Sequence, residues 1–419
     1  MHSPAITEPA RRAVERAARE SYGRLVAFLA ARSADLSAAE DALSEAFVAA
    51  LRTWPADGVP DRPEAWLLTA ARRRLIDAAR SAQVRTGAAE ALARAAEDAA
   101  RRAAAAPEFP DDRLRLMLLC AHPAIDAGVR TPLMLQTVLG LDAGRIAAAF
   151  LTSPDAMGRR LSRAKAKIRD AGVPFEPPEA GELPARAGAV LEAVYAAYGS
   201  GWDDVSGADP RRRGLAEEAV WLGRAVRDLM PDEPEAAGLL ALMLHCEARR
   251  GARRGPAGEY VPLDRQDPSR WSAELIAEAE ATLASAARMG RPGRFQLEAA
   301  IQSVHAARAI TGTTDWAALA LLYEALMHAA PTVGAALGRA AAAGEASGPH
   351  AGLAALEAIP ASVIADHQPY WALRGHLLAR LDRPGEAAEA YRRACGLSED
   401  PAVRAFLAER ADGMRKAGG

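Results

Sequence analysis

The sequence predicts an all-α protein. Alanine is the commonest of its 419 residues, aromatic side chains make up only 5%, and β-branched runs are few. That composition favours helices that approach closely through small side chains over sheets built from branched and aromatic ones. The length exceeds what one hydrophobic core usually organises, so two or three domains are expected.

The first expected domain covers residues 10–81. Leu25, Phe28 and Leu29, then Leu43, Phe47, Ala50, Leu51 and Trp54, recur at helical spacing. Between Trp54 and Pro63, three prolines and a glycine predict a loop, with the next helix starting near Glu64. Residues 82–109 read as a linker: they are mostly Ala, Arg, Glu and Asp, with Leu92 the only large aliphatic residue after Val84. A second small domain is expected over 110–175, opening at Pro110-Asp111-Asp112 and closing at Gly172-Val173-Pro174-Phe175.

Residues 184–419 read as a succession of Ala/Leu helices punctuated by Gly and Pro. Its last repeat is the clearest. Trp371, Gly375, Leu378, Ala387, Tyr391 and Ala394 fall at the spacings of a tetratricopeptide helix pair, where small residues let helices approach and large ones fill the gap. Arg374 replaces the usual Leu.

Within the second domain the pattern is a helix from Pro132 to Leu139, Gly140, a helix from Asp142 to Phe150, a Leu151-Thr152 turn and a longer helix from Ser153 to Arg169. This spacing suits a helix-turn-helix. Gly140 can take the left-handed conformation that ends a helix, Asp142 can cap the next, and Ser153 with Pro154 makes an N-cap and first helical position. Ile146, Ala147, Phe150, Met157 and Leu161 are expected to bury the faces where the helices cross. The last helix carries Arg159, Arg160, Arg163, Lys165, Lys167 and Arg169 against Asp155, a net charge of +5 before Asp170, and holds two of the three lysines. Free amides at its N-terminus and cations along its flank fit a recognition helix in a DNA major groove. The plain alternative is a solvated basic face on a structural helix.

Charge divides the same way. Residues 1–175 hold 26 Lys+Arg against 21 Asp+Glu, and residues 176–419 hold 26 against 33. Nucleic-acid work is therefore expected in the first half. Cys120, Cys246 and Cys395 lie far apart, which predicts a reducing compartment and no metal site; Cys120 and His122 read as a buried thiol beside a helix-ending His-Pro. With no secretory pattern at the N-terminus and no run of eighteen apolar residues, a cytoplasmic protein without membrane contact is expected. There is no Walker-type loop, GxSxG, HExxH or GxGxxG after a strand, so neither an enzyme nor a cofactor is expected. Asp264, Gln266 and Asp267 before Pro268 read as a helix start.

The stretches Asp111-Asp112-Arg113-Leu114-Arg115-Leu116, Cys120-Ala121-His122-Pro123-Ala124 and Arg163-Ala164-Lys165-Ala166-Lys167-Ile168-Arg169 closely resemble region 4 of an RNA polymerase sigma factor. The subfamily is the extracytoplasmic-function type with a long tetratricopeptide-like C-terminal extension. Glu40-Asp41-Ala42-Leu43-Ser44-Glu45-Ala46-Phe47, with Trp66-Leu67 and Ala71-Arg72-Arg73-Arg74-Leu75-Ile76-Asp77, resembles region 2 of the same proteins. Beyond residue 180, Glu217-Glu218-Ala219, Leu229-Met230-Pro231, Arg270-Trp271 and Thr314-Asp315-Trp316 resemble the extension.

The resemblance implies that Glu40, Asp41, Glu45 and Phe47 meet the clamp helices of the polymerase largest subunit, Asp41, Glu45 and Phe47 from one helical face. Trp66, Arg72, Arg73, Arg74 and Arg80 would hold the melted promoter −10 strand, although Trp66 taken alone reads more readily as a core anchor. Ser153 and Asp155, near the helix start, and Arg159, Arg160 and Arg163 would meet the −35 duplex, with Lys165 and Lys167 on phosphate or toward the polymerase flap. Arg73 stands where such proteins often have Asn, and Arg145 where an acid is common, so base preference is not carried across. The acidic extension would dock on the basic regions or help hold the open complex. The rival reading is a one-component helix-turn-helix regulator or a tetratricopeptide scaffold; residues 22–81 have no purpose in either.

Overall fold

The computed structural model describes residues 8–33, 35–86, 112–150, 152–173, 175, 178–202 and 214–417. The described residues are helical and form no strand; Arg254 and Tyr260 make an isolated bridge. Most of the expected linker, together with Asp111, Leu151 and Pro174, lies outside the described residues. The chain packs as two compact units, Met1–Met230 and Pro231–Gly419.

The first unit opens with α1 (Glu8–Ser33), α2 (Leu36–Asp57) and α3 (Pro63–Thr86), each packed on the other two. Val26, Leu29, Leu43, Ala46, Leu67 and Ala71 fill the space between them. Asp35 starts α2 by accepting from the Ala38 amide at 3.0 Å. The helix then runs through Pro55 to Asp57, three residues into the expected loop. A proline in the last turn removes only one backbone bond, and Gly58, at φ 86°, closes the helix by donating to the Trp54 carbonyl at 3.0 Å.

Next come α4 (Asp112–Cys120), α5 (Ala127–Thr137), α6 (Ala143–Ala149) and α7 (Pro154–Asp170). Helix α5 begins five residues before the expected Pro132 because Asp126 caps it, accepting from Gly128 N at 2.8 Å. Pro132 then leaves the Gly128 carbonyl without its helical donor, and the Arg160 guanidinium bonds it at 3.0 Å instead. Ser153 caps α7 as its sequence predicts, accepting from Ala156 N at 3.3 Å. Ile146, Ala147, Met157 and Leu161 are buried, whereas Phe150 is 37% exposed. The expectation for Phe150 is corrected: α6 ends at Ala149, and the chain turns before the phenyl ring can join the packed face.

Helices α8 (Leu183–Trp202) and α9 (Leu215–Leu229) pack on each other and complete this unit against α4 and α5. Arg186, almost wholly buried, donates to the Leu118 carbonyl at 3.1 Å. Arg113, also buried, pairs with Glu218 and stacks over Trp221 at 4.6 Å.

The second unit contains α10 (Pro234–Ala248), α11 (Ala273–Ala287), α12 (Arg294–Ala306), α13 (Arg308–Thr311), α14 (Trp316–Ala329), α15 (Val333–Ala346), α16 (Pro349–Glu357), α17 (Ala361–Ile364), α18 (Gln368–Arg380), α19 (Pro384–Leu397) and α20 (Pro401–Ala417). Helix α10, buried from Ala236 to Cys246, is enclosed by α11 and α12. Its neighbour α12 is capped from a distance, with the Glu235 carboxylate accepting from Phe295 N at 2.8 Å and Gln296 N at 3.2 Å. From α14 on, helices pack chiefly on their chain neighbours. In the pair α18 and α19, Gly375 lies against the Tyr391 ring, and Leu378, Ala387 and Ala394 are buried beside it. Asp267 accepts from Ser269 N at 2.9 Å, a capping bond.

Candidate nucleic-acid interface

Side chains leave a helix at about 100° intervals, so position decides which of them can share a surface. On α2, Ala39, Ala42, Leu43, Ala46 and Ala50 face the core. Asp41 and Glu45, one turn apart, are exposed together. Phe47, two residues beyond Glu45, points about 200° away from it and is half-buried. The expectation of one face for Asp41, Glu45 and Phe47 is therefore corrected to an acidic face with the phenyl ring on another side. Glu45 also pairs with Arg74 of α3 at 3.2 Å. Between these helices a groove of about 440 Å³ is lined by Ser44, Glu45, Val48, Arg52, Thr53 and Arg74.

Helix α3 buries Leu67 and Ala71 and turns Arg72, Arg73 and Arg74 to solvent. Three successive cations cannot lie on one line, so they spread over most of the helix circumference away from the core. Arg80 lies in α3, its side chain outside the described residues. Trp66 is half-buried, meeting Trp54 edge to face with centroids 5.5 Å apart. The ring thus anchors the α2–α3 junction while leaving part of its surface open.

Helix α7 inserts Met157, Leu161, Ala164 and Ile168 into the second helical group. Ser153, Asp155, Arg159, Arg163 and Lys167 are exposed. Arg163 Nε donates to the Arg159 carbonyl at 3.2 Å, tying two cations along one flank. Arg160, Arg163 and Lys167 line a cavity of about 290 Å³ with Ile125, Asp126 and Val129. Arg160 is spoken for by the Gly128 carbonyl, so its position differs from that of its exposed neighbours.

Lys165 and Glu40 depart most from what the sequence suggests. Lys165 Nζ lies 2.6 Å from Glu40 Oε2, with the side chains 14% and 12% exposed. Burial raises the Glu40 pKa despite the opposing pull of Lys165. No local pattern signals this pair, which spans 125 residues. Nearby, the Cys120 thiol is fully buried, 3.6 Å from Thr137 Oγ1, and burial pushes its pKa up to about 12. His122 Nδ1 accepts from Ala124 N at 3.1 Å.

No helix among the described residues is long and apolar enough to cross a membrane. The sigma-70 region 2 family matches residues 18–85, from within α1 to the last turn of α3. A family of unknown function (DUF6596) matches residues 186–287. The acidic face on α2 and the arginine-bearing α3 thus both lie within the stretch that is similar to sigma-70 region 2, a domain of transcription initiation factors. The chain belongs to the same family as the uncharacterized protein R00370 of Rhizobium meliloti (strain 1021), with which it is 38% identical over 379 residues, 89% of each chain. No solved structure matches it.

Proposed function

We propose that the protein is an extracytoplasmic-function sigma factor whose two basic helices divide the promoter between them. Helix α2 meets the clamp helices of the polymerase largest subunit through Asp41 and Glu45, where exposed carboxylates orient the approach and the groove beside Val48 supplies apolar burial. Helix α3 then lies along the melted −10 strand, with Arg72, Arg73 and Arg74 on phosphates and the open side of Trp66 toward an unstacked base.

Helices α6 and α7 act as a helix-turn-helix on the −35 duplex. The α7 N-terminus, with Ser153 and Asp155, approaches base edges, and Arg159, Arg163 and Lys167 neutralise backbone phosphates. The acidic residues from 184 onward form a tetratricopeptide-like extension that modulates this activity. One observation carries the reading: the exposed cations of α3 and α7 stand on two separate helical groups of one chain, each anchored by its own buried face. A regulator reading one operator needs only the second group.

The test is binding to bacterial core polymerase by the full chain and by Asp41→Arg with Glu45→Arg. The double variant is expected to lose core binding with only a small change in thermal unfolding, since both side chains are exposed and the Glu45–Arg74 pair is screened by solvent. Equal binding by both proteins would remove α2 from the polymerase interface.

A further inference from the structure

In the second unit, α17, α18 and α19 leave an open cavity of about 570 Å³ between them, within the range of roughly 300–1,000 Å³ in which small-molecule sites fall. Ala361, Ala365 and Ala390 line it, and their short side chains keep the space unfilled. The floor is apolar, with Ile364 and Tyr370 buried and Trp371 half-buried. Trp371 Nε1 is satisfied, donating to the Ala365 carbonyl at 3.1 Å.

The charges around this floor are unevenly committed. Arg374 Nη1 donates to Glu357 of α16 at 2.7 Å, and Arg383 donates to both oxygens of Glu386 at 2.7 Å. Glu389 and Arg393 remain. They stand one turn apart on α19, in the order that ordinarily forms an ion pair along a helix. Here Arg393 turns instead to the Ala365 carbonyl, at 3.0 Å, and its guanidinium lies 4.0 Å from the centre of the Trp371 ring. Glu389 is left exposed at the cavity, with no hydrogen bond or ion pair among the described residues.

We infer that this cavity binds a small zwitterion of the α-amino-acid class. The ligand's ammonium group pairs with Glu389, its carboxylate with the N–H groups of Arg393 that Ala365 does not take, and its side chain covers Trp371 and Ile364. A guanidinium carries several N–H donors, so the bond to Ala365 leaves others for a carboxylate. The spacing suits the class as well. Residues one turn apart hold their Cβ atoms about 5–6 Å from each other, and an α-amino acid carries both charges on a single carbon, within reach of both side chains. Each contact is a charge-assisted hydrogen bond, the stronger kind. A ligand of single charge would leave either Glu389 or Arg393 unanswered. The site lies wholly within the second unit, so it depends on none of the roles proposed for the first.

The test is isothermal titration calorimetry on the full chain with the proteinogenic amino acids, one at a time. For the tightest binder, the decarboxylated amine and the deaminated acid of the same side chain are then compared. Saturable binding of at least one amino acid is expected, with each half-charged relative bound about tenfold more weakly. Glu389→Gln should weaken the amino acid and the amine by about tenfold and leave the acid unchanged, and Arg393→Gln should weaken the amino acid and the acid. Because Glu389 makes no bond within the fold, its replacement reports on the ligand rather than on stability. Ala365→Trp, placing an indole in the cavity from an exposed position on its wall, should weaken all three ligands.

No saturable binding by any amino acid overturns the inference, as does binding that Glu389→Gln leaves unchanged. Equal affinity for the amine and the amino acid would make this a cation site and overturn the zwitterionic class.

Discussion

Gly23 in the middle of α1 lies directly against the carbonyl of Val138, beyond the end of α5. Glycine inside a helix ordinarily weakens it, so replacement by alanine usually stabilises. Here the sign inverts, because the obstruction is backbone and cannot rotate away. Gly23→Ala should lower unfolding stability by about 1–3 kcal/mol, the range for overpacked cores. Gly158→Ala, in open space on α7, should do the opposite by up to about 1 kcal/mol. Chemical denaturation of both variants checks the pair.

Gly375 stands in the same relation to Tyr391 in the second unit, where a Cβ would come 2.8 Å from the buried ring. Gly375→Ala is expected to cost about 1–3 kcal/mol. The double change with Tyr391→Leu should cost less than the sum of the singles by roughly 0.5 kcal/mol or more, since the smaller side chain makes room. Additive losses would mean that the two positions do not share the space between α18 and α19.

Acid should destabilise the second unit through His245. Burial and the neighbouring Arg249 lower its pKa to about 4, and Glu280, 3.5 Å from Nε2, is half-exposed and too well solvated to reverse this. The unfolded histidine titrates near 6.5, so between these values the unfolded state binds the extra proton. Stability is full above pH 6.5 and falls as pH drops toward 4. His305, likewise lowered to about 4, adds to the same window. Thermal unfolding of His245→Gln across pH 4–7 should show a shallower dependence than the unaltered chain.

Helices α8 and α9 should be required by the helices they cover. A chain ending at Phe175 takes the Arg186 guanidinium from the Leu118 carbonyl and both Glu218 and Trp221 from Arg113, and uncovers the faces of α4 and α5 on which α8 and α9 pack. That shortened chain should aggregate or exchange its α4 and α5 amides rapidly, whereas one ending at Met230, at the boundary of the first unit, should remain folded. Hydrogen exchange on the two lengths decides the matter.

Much of this architecture is local, and local features are what a sequence displays. The helical class follows from composition and spacing, the α7 cap from Ser153 and Pro154, and the closeness of α18 to α19 from Gly375 and Tyr391. The α5 start was hidden because Pro132 suggests a first position, while the bond that tolerates it comes from Arg160, 32 residues away from Gly128. Phe150 and Phe47 kept helical spacing without a neighbour to cover them fully. The Glu40–Lys165 and Gly23–Val138 contacts leave no periodic trace, because long-range partners are chosen by how helices seat and not by either helix alone.

Promoter-directed initiation is read out by reconstituted transcription with bacterial core polymerase on a genomic promoter library. With the full chain, start sites from one promoter class are expected. Arg72→Ala with Arg73→Ala should abolish initiation with core binding intact, and Arg159→Ala with Arg163→Ala should weaken it in a salt-dependent way. Absence of core binding and initiation, with specific duplex binding retained, would rule out a sigma factor and leave a one-component regulator in its place.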